Sequence, residues 1–194
     1  MLEAFSRQSS PQLPPSIRNN AVTPLPRTTL ILGGARSGKS LFAENVLEHY
    51  EQKTYLATAV AHDNEMKKRV EKHRARRGPG WQTIEESTDI ADVISTQGEK
   101  GIPLLLDCLT LWAMNLLSAG LDHHQEVKRL SDTLEKIPGP VVMVSNEIGL
   151  GVIPETKLSR LFVDLQGDIN QAVAKVSDRV IFLAAGLPIV MKNQ

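Results

Sequence analysis

Only one cysteine, Cys108, occurs among the 194 residues. That excludes an internal disulfide and a cysteine-rich zinc site, and it points to a reducing compartment. The surrounding run, Leu104-Leu105-Leu106-Asp107-Cys108-Leu109, is apolar, so the thiol reads as a small buried side chain rather than a reactive one. Aromatics are scarce, at 4%. The core must therefore be aliphatic, and a base-stacking platform for single-stranded nucleic acid has few members to draw on. Charge of one sign is also lacking, since 22 Lys and Arg balance 22 Asp and Glu. A wholesale nucleic-acid or polybasic membrane binder would need a field of one sign, so the balance argues against both. No apolar run approaches the ~20 residues that cross a bilayer, and a soluble, cytoplasmic protein is expected.

What is present is ordinary globular material, 41% hydrophobic and 23% charged. Residues 1–27 carry Pro11, Pro14, Pro15, Pro24 and Pro26 among Ser, Gln and Asn, without hydrophobic periodicity or the apolar core of a secretory signal. They read as a disordered extension, which leaves 28–194 as a single domain. From Thr28 onward, short apolar runs at 28–32, 54–57, 103–107, 141–145 and 179–183 alternate with helical patterns at 40–50, 63–77, 88–96, 109–117, 125–136 and 157–176. Strands apolar on both faces belong in a parallel sheet covered by helices, so the pattern predicts an α/β domain with right-handed crossovers. In the last helix Leu158, Leu161, Phe162, Leu165, Ile169, Val173 and Val176 recur at helical spacing and predict a core stripe. Residues 187–191, after Gly186, suit a final hairpin strand.

Gly33, Gly34, Ala35, Arg36, Ser37, Gly38, Lys39 and Ser40 match G-x-x-x-x-G-K-[ST], directly after an apolar strand and directly before a helix. Glycines let backbone N–H groups turn inward around a phosphate, and the helix adds its positive end. Lys39 brings a point charge to the outer phosphates, and the Ser40 hydroxyl suits Mg2+. A metal-side carboxylate is also needed, usually at the end of a neighbouring buried strand. Asp107, closing 103–107, fits that place, with an N-cap for the following helix as its other reading.

The guanine-reading N-K-x-D of regulatory GTPases is missing, and the D-x-x-G at Asp164 to Gly167 falls inside a helical pattern. Phosphoryl or nucleotidyl transfer is thus favoured over a GTP-binding regulatory module, with a small-molecule kinase as the rival enzyme class. The segment from Met66 to Arg77 gathers Lys67, Lys68, Arg69, Lys72, Arg74, Arg76 and Arg77 around His73. A solvated basic helix is one account of it. The other is chemical: neighbouring positive charge favours the neutral, nucleophilic imidazole while holding the phosphates it would attack. With few apolar residues, such a helix could also move as a lid.

These residues carry a family resemblance. The phosphate loop, Tyr55 to Ala59, Asp63 to Met66, Arg69 with His73, Trp81 to Thr83 with Glu85, Leu106 to Thr110, Asn115 to Leu117, Ser145 to Gly151 and Gly167 to Gln171 together resemble the bifunctional adenosylcobinamide kinases and adenosylcobinamide-phosphate guanylyltransferases of cobalamin biosynthesis. The motifs run in order over essentially the whole chain from Thr28.

The resemblance implies a P-loop fold related to the recombinase core (RecA-like), a three-layer sandwich with a mainly parallel central sheet. It implies phosphorylation of adenosylcobinamide by ATP or GTP, then transfer of GMP from GTP through a guanylyl-histidine to adenosylcobinamide phosphate. His73 matches the guanylylated histidine; the family's nearby histidine position is Lys72 here. Residues Gly33 to Ser40 match the phosphate loop, with Lys39 catalytic. Ala57, Thr58 and Ala59 match a nucleotide-contacting turn, and Arg74, Ala75, Arg76 and Arg77 the basic stretch after the nucleophile. Glu85 and Asp107 match nucleotide-site acids, with Ser40 and Asp107 as Mg2+ ligands. Ala59 stands where a hydroxyl residue often does, which removes one side-chain contact. A homo-oligomer, a trimer, is also implied. Asn146 and Glu147, beyond a strand end, read either as corrinoid or second-nucleotide contacts or as loop caps. His49, His62, His123 and His124 show no metal-ligand spacing.

Overall fold

The computed structural model describes residues 25–60 and 77–194. Seven strands form one sheet: β1 (Thr28–Gly33), β2 (Lys53–Ala57), β3 (Trp81–Glu85), β4 (Leu104–Asp107), β5 (Val141–Asn146), β6 (Arg179–Ala184) and β7 (Leu187–Asn193). The described helices are α1 (Lys39–Val46), α2 (Ile90–Glu99), α3 (Leu109–Ala119), α4 (His123–Lys136) and α5 (Lys157–Val176). The spatial order is β3-β2-β4-β5-β1-β6-β7. All pairings are parallel except the β6–β7 hairpin.

Alternation along each strand divides the core. Leu30, Leu32, Leu104, Leu106, Val141 and Met143 face one way, into a cluster with Ile94, Trp112, Leu116, Leu134, Ile169 and Val173 from α2 to α5. Ile31, Leu105, Val142 and Val144 face the other way, against Phe42, Ala43 and Leu47 of α1 and its flank. A strand with Leu or Val at consecutive positions is stable only between two such layers, which is why these runs read as continuous apolar stretches. The predicted α/β sandwich is the observed architecture.

Several boundaries differ from the sequence reading. The polar-looking β3 was not foreseen as a strand, because at the sheet edge only part of each side chain is covered. In α5, Leu165, Ile169 and Val173 are buried, but Leu158 and Leu161 are 64% and 42% exposed, so the predicted core stripe stops short of the helix's first turns. The domain's contacts also include Arg27, ahead of Thr28. Arg27 bonds the Leu134 carbonyl and pairs with Asp178 at 3.2 Å, and Val141 N donates to Arg27 O at 2.9 Å. The helix proposed for 63–77 lies outside the described residues up to position 76.

Candidate active site at the carboxyl edge of the sheet

The phosphate loop begins where β1 runs out. Gly33 has φ +153, and a Cβ there would stand 2.4 Å from Leu183 O and 2.8 Å from Ser37 Oγ, so only glycine fits. Gly38, with φ +95, caps α1, whose first turn closes through Phe42 N donating to Gly38 O at 2.9 Å. Two neighbours brace the loop: Glu147 N donates to Gly33 O at 3.1 Å, and Gly186 N, in the β6–β7 turn, donates to Ser37 O at 3.1 Å. The bracing hairpin was not foreseen as part of the site.

Lys39 is buried, and its Nζ donates to Gly34 O at 2.6 Å and Ser37 Oγ at 3.4 Å. Burial holds its pKa below the ordinary lysine value, partly offset by Cys108 and Asp107. Its ammonium is held across the mouth of the loop by acceptors that an anionic phosphate would outcompete. Ala35, Arg36 and Gly38 are exposed, and Ser40 is half-buried.

Asp107 ends β4, but that strand is not beside β1: β5 lies between them. The acid therefore stands two strand spacings, about 10 Å, from the loop's strand. Its capping alternative is not realised, because Cys108 is the N-cap of α3 and makes no side-chain cap bond. Tyr55 OH donates to Asp107 Oδ2 at 3.0 Å. The register sets Glu85, Ala57 and Asp107 side by side at the ends of β3, β2 and β4, forming one row of the carboxyl edge. Ligands of open α/β sheets bind along such an edge.

The turn after β2 is held internally. Thr58 is fully buried, its hydroxyl engaged with the Cys108 main chain, which leaves the exposed side of the 57–59 turn to backbone and alanine. Asn115 Nδ2 donates to Thr58 O at 2.8 Å and to Ser87 O at 2.9 Å, tying together the turns that follow β2 and β3. Trp112 Nε1 adds a bond to Thr88 O at 2.8 Å. The Glu86 carboxylate accepts from Thr88 N at 2.8 Å and Asp89 N at 2.9 Å, which holds its pKa below the usual range. In the sequence Asn115 belongs to a resembling motif without a stated role; its signal is a lone amide between Met114 and Leu116.

Of the basic stretch, Arg77 is described, and it lies over the Tyr55 ring at 3.4 Å from the centroid. His73, Arg74, Ala75 and Arg76 lie outside the described residues. Glu147 behaves as a loop cap, with Oε1 accepting from Gly149 N at 2.7 Å. Asn146 is held through its backbone by Thr110 Oγ1 and Asn170 Nδ2.

A buried lysine in a glycine loop between strand and helix, with an acid on the next strand but one, defines a P-loop nucleotide-binding protein. Solved structures agree on the fold. A protein of Pyrococcus horikoshii OT3 matches with TM-score 0.53 at 11% identity, over 87% of this chain and 88% of that one. An ATPase of the type III secretion system of pathogenic bacteria matches with TM-score 0.52 at 14% identity, over 81% of this chain and 51% of that one.

Sequence comparison narrows the class. Residues 29–191 match the family described as cobinamide kinase / cobinamide phosphate guanyltransferase. The bifunctional adenosylcobalamin biosynthesis protein CobP of Pseudomonas aeruginosa is 46% identical over 170 residues, covering 85% of this chain and 97% of that protein. The bifunctional CobU of Escherichia coli is 33% identical over 178 residues, covering 84% and 98%. The chain belongs to the cobinamide kinase / cobinamide phosphate guanyltransferase family, and is a transferase of cobalamin biosynthesis acting with nucleotide substrates.

Proposed function

We propose that both transfers are carried by the carboxyl edge described above, with His73 as covalent carrier. In the kinase step Lys39 and the loop N–H groups of Gly33 to Ser40 hold the β- and γ-phosphates of ATP or GTP. The hydroxyl of adenosylcobinamide attacks the γ-phosphorus as the bond to the β-phosphate oxygen breaks, and its proton passes to solvent or a nearby base. In the second reaction an imidazole nitrogen of His73 attacks the α-phosphorus of GTP. The N–P bond forms and pyrophosphate leaves. A phosphate oxygen of adenosylcobinamide phosphate then displaces the histidine, giving adenosylcobinamide-GDP and free imidazole.

The observation that carries this reading is the position of Arg77. It sits against Tyr55, which holds Asp107, and His73 is four residues earlier. Adjacency in the chain to a residue packed beside the Tyr55–Asp107 pair supports His73 as the carrier. Arg74, Ala75, Arg76 and Arg77 would line the triphosphate. The backbone of Ala57, Thr58 and Ala59, with Glu85, would line the nucleoside side.

Mg2+ suits the hard oxygens of Ser40 and Asp107. That ion is typically held by one or two protein groups plus substrate phosphates, and the Tyr55 hydroxyl already orients the carboxylate as an outer partner would. When bound it neutralises charge developing on the transferred phosphoryl group. The reading also includes one catalytic domain over 28–194, a cytoplasmic setting, and a homo-oligomer, a trimer. The exposed Leu150, Val152 and Ile153 and the apolar outer face of β7 support subunit contacts. Among the described residues no helix is long and apolar enough to cross a membrane.

Incubation with α-labelled GTP and Mg2+ tests the covalent step: acid-labile, base-stable label should remain on the denatured chain. His73→Ala should abolish it and keep kinase activity, whereas Lys39→Ala should damage both reactions. Active protein that never takes label would sink the guanylyl-histidine.

A further inference from the structure

Three groups converge on Tyr55, a side chain that no step above uses directly. Its hydroxyl donates to Asp107 Oδ2 at 3.0 Å. The Arg77 guanidinium stacks 3.4 Å from its ring centroid, and Trp81 meets the ring edge-on at 6.2 Å. The residue is 6% exposed, on the sheet face that carries α1.

Each contact has a separate consequence. A carboxylate with one oxygen fixed by a buried donor presents the other in a defined direction, and outer partners of this kind are worth about 10- to 100-fold in metal affinity or activity. A guanidinium over an aromatic face is held by the ring quadrupole, independently of the hydroxyl.

We infer that Tyr55 is a positioning residue coupling the two halves of the site: its hydroxyl orients Asp107 toward the nucleotide-bound divalent cation, and its ring holds Arg77 at the end of the basic stretch that follows His73. The inference rests on the roles assigned above to Asp107 and His73. Tyr55→Phe separates the two contacts, because it removes the hydroxyl and keeps the ring; Tyr55→Leu removes both.

Two measurements read them without turnover. The first is the affinity for a fluorescent GTP analogue in EDTA and in Mg2+. The second is the rate of tryptic cleavage after Arg77 in the native protein. Tyr55→Phe should lose about tenfold of the Mg2+-dependent gain in affinity, with affinity in EDTA and cleavage after Arg77 unchanged. Tyr55→Leu should lose that gain and also speed cleavage severalfold. Should the leucine variant melt too low to assay, Tyr55→Met supplies a bulkier apolar side chain for the second measurement. An unchanged Mg2+ gain in Tyr55→Phe overturns the role of the hydroxyl, and unchanged cleavage in a folded non-aromatic variant overturns that of the ring. Failure of the wild type to take label from α-labelled GTP would instead strike at His73 and leave both readouts interpretable.

Discussion

The Thr58 hydroxyl closes a two-way bond with the main chain of Cys108, donating to its carbonyl at 2.7 Å and accepting from its N–H at 2.9 Å. A side chain just past the end of β2 thereby extends the β2–β4 pairing beyond the last backbone bond, Thr58 N to Asp107 O at 3.4 Å. It fixes the backbone immediately after Asp107.

Thr58→Val keeps the shape and removes both bonds, leaving the buried Cys108 N–H without its partner while the Cys108 carbonyl keeps the bond from Trp112 N at 3.2 Å. A loss of about 2 kcal/mol or more is expected in urea unfolding. Nucleotide affinity should fall with it, because Asp107 is the preceding residue. A variant as stable as the parent would show that water or a backbone shift replaces the hydroxyl.

Asn115→Leu should weaken binding as well as folding. Both bonds of Nδ2 go to carbonyls of the turns after β2 and β3. Losing them costs roughly 1–3 kcal/mol, and the nucleotide KM should rise severalfold because the 57–59 turn is released. An unaltered KM alongside lowered stability would make the residue purely architectural.

Gly33→Ala tests the tightest point of the phosphate loop. The added Cβ would meet the Leu183 carbonyl, which belongs to a sheet strand and cannot swing aside. Loss of measurable GTP binding and a lower melting temperature are expected. Gly34→Ala, with nothing within 4 Å of its Cβ, should bind far better and serves as the control.

For Lys39 the sign of the pH dependence follows from its lowered pKa. Phosphate binding needs the ammonium, so affinity is full below that lowered value and falls as pH rises through it, on the acid side of the ordinary lysine titration. Binding should take up a fraction of a proton in the same window, readable by calorimetry in buffers of different ionisation enthalpy. Affinity that holds level until the ordinary lysine range would contradict the burial effect.

Cys108 should be inert in the native state. Burial first, and then the Asp107 charge, push its thiol up to about 11, so no thiolate is available at neutral pH. Iodoacetamide should label it in urea and not in buffer; rapid native labelling would show that the α3 start opens.

Legibility from sequence followed the physics of each element. The strands β1, β4 and β5 were plain because burial on both faces demands unbroken apolar runs. The edge strand β3 was not, because Trp81-Gln82-Thr83-Ile84-Glu85 satisfies only one partner strand and a partly wet surface. Leu158 and Leu161 share the helical period of Leu165 and Ile169, yet they stay exposed while those two are buried. Periodicity reports what a helix could bury, not what it meets.

The phosphate loop was determined by sequence alone, because its chemistry depends on neighbours in the chain: glycines, a lysine and a helix start within eight positions. So was the alternation of strand and helix, since backbone period and side-chain polarity are local. Only the tertiary structure decided that Asp107 stands one strand removed from the loop, that Thr58 braces Cys108 instead of facing outward, and that Tyr55 joins Asp107 to Arg77. Those relations cross between strands and loops far apart in the chain, and strand order, register and the packing of α1 and α3 set them, which no spacing along the sequence encodes.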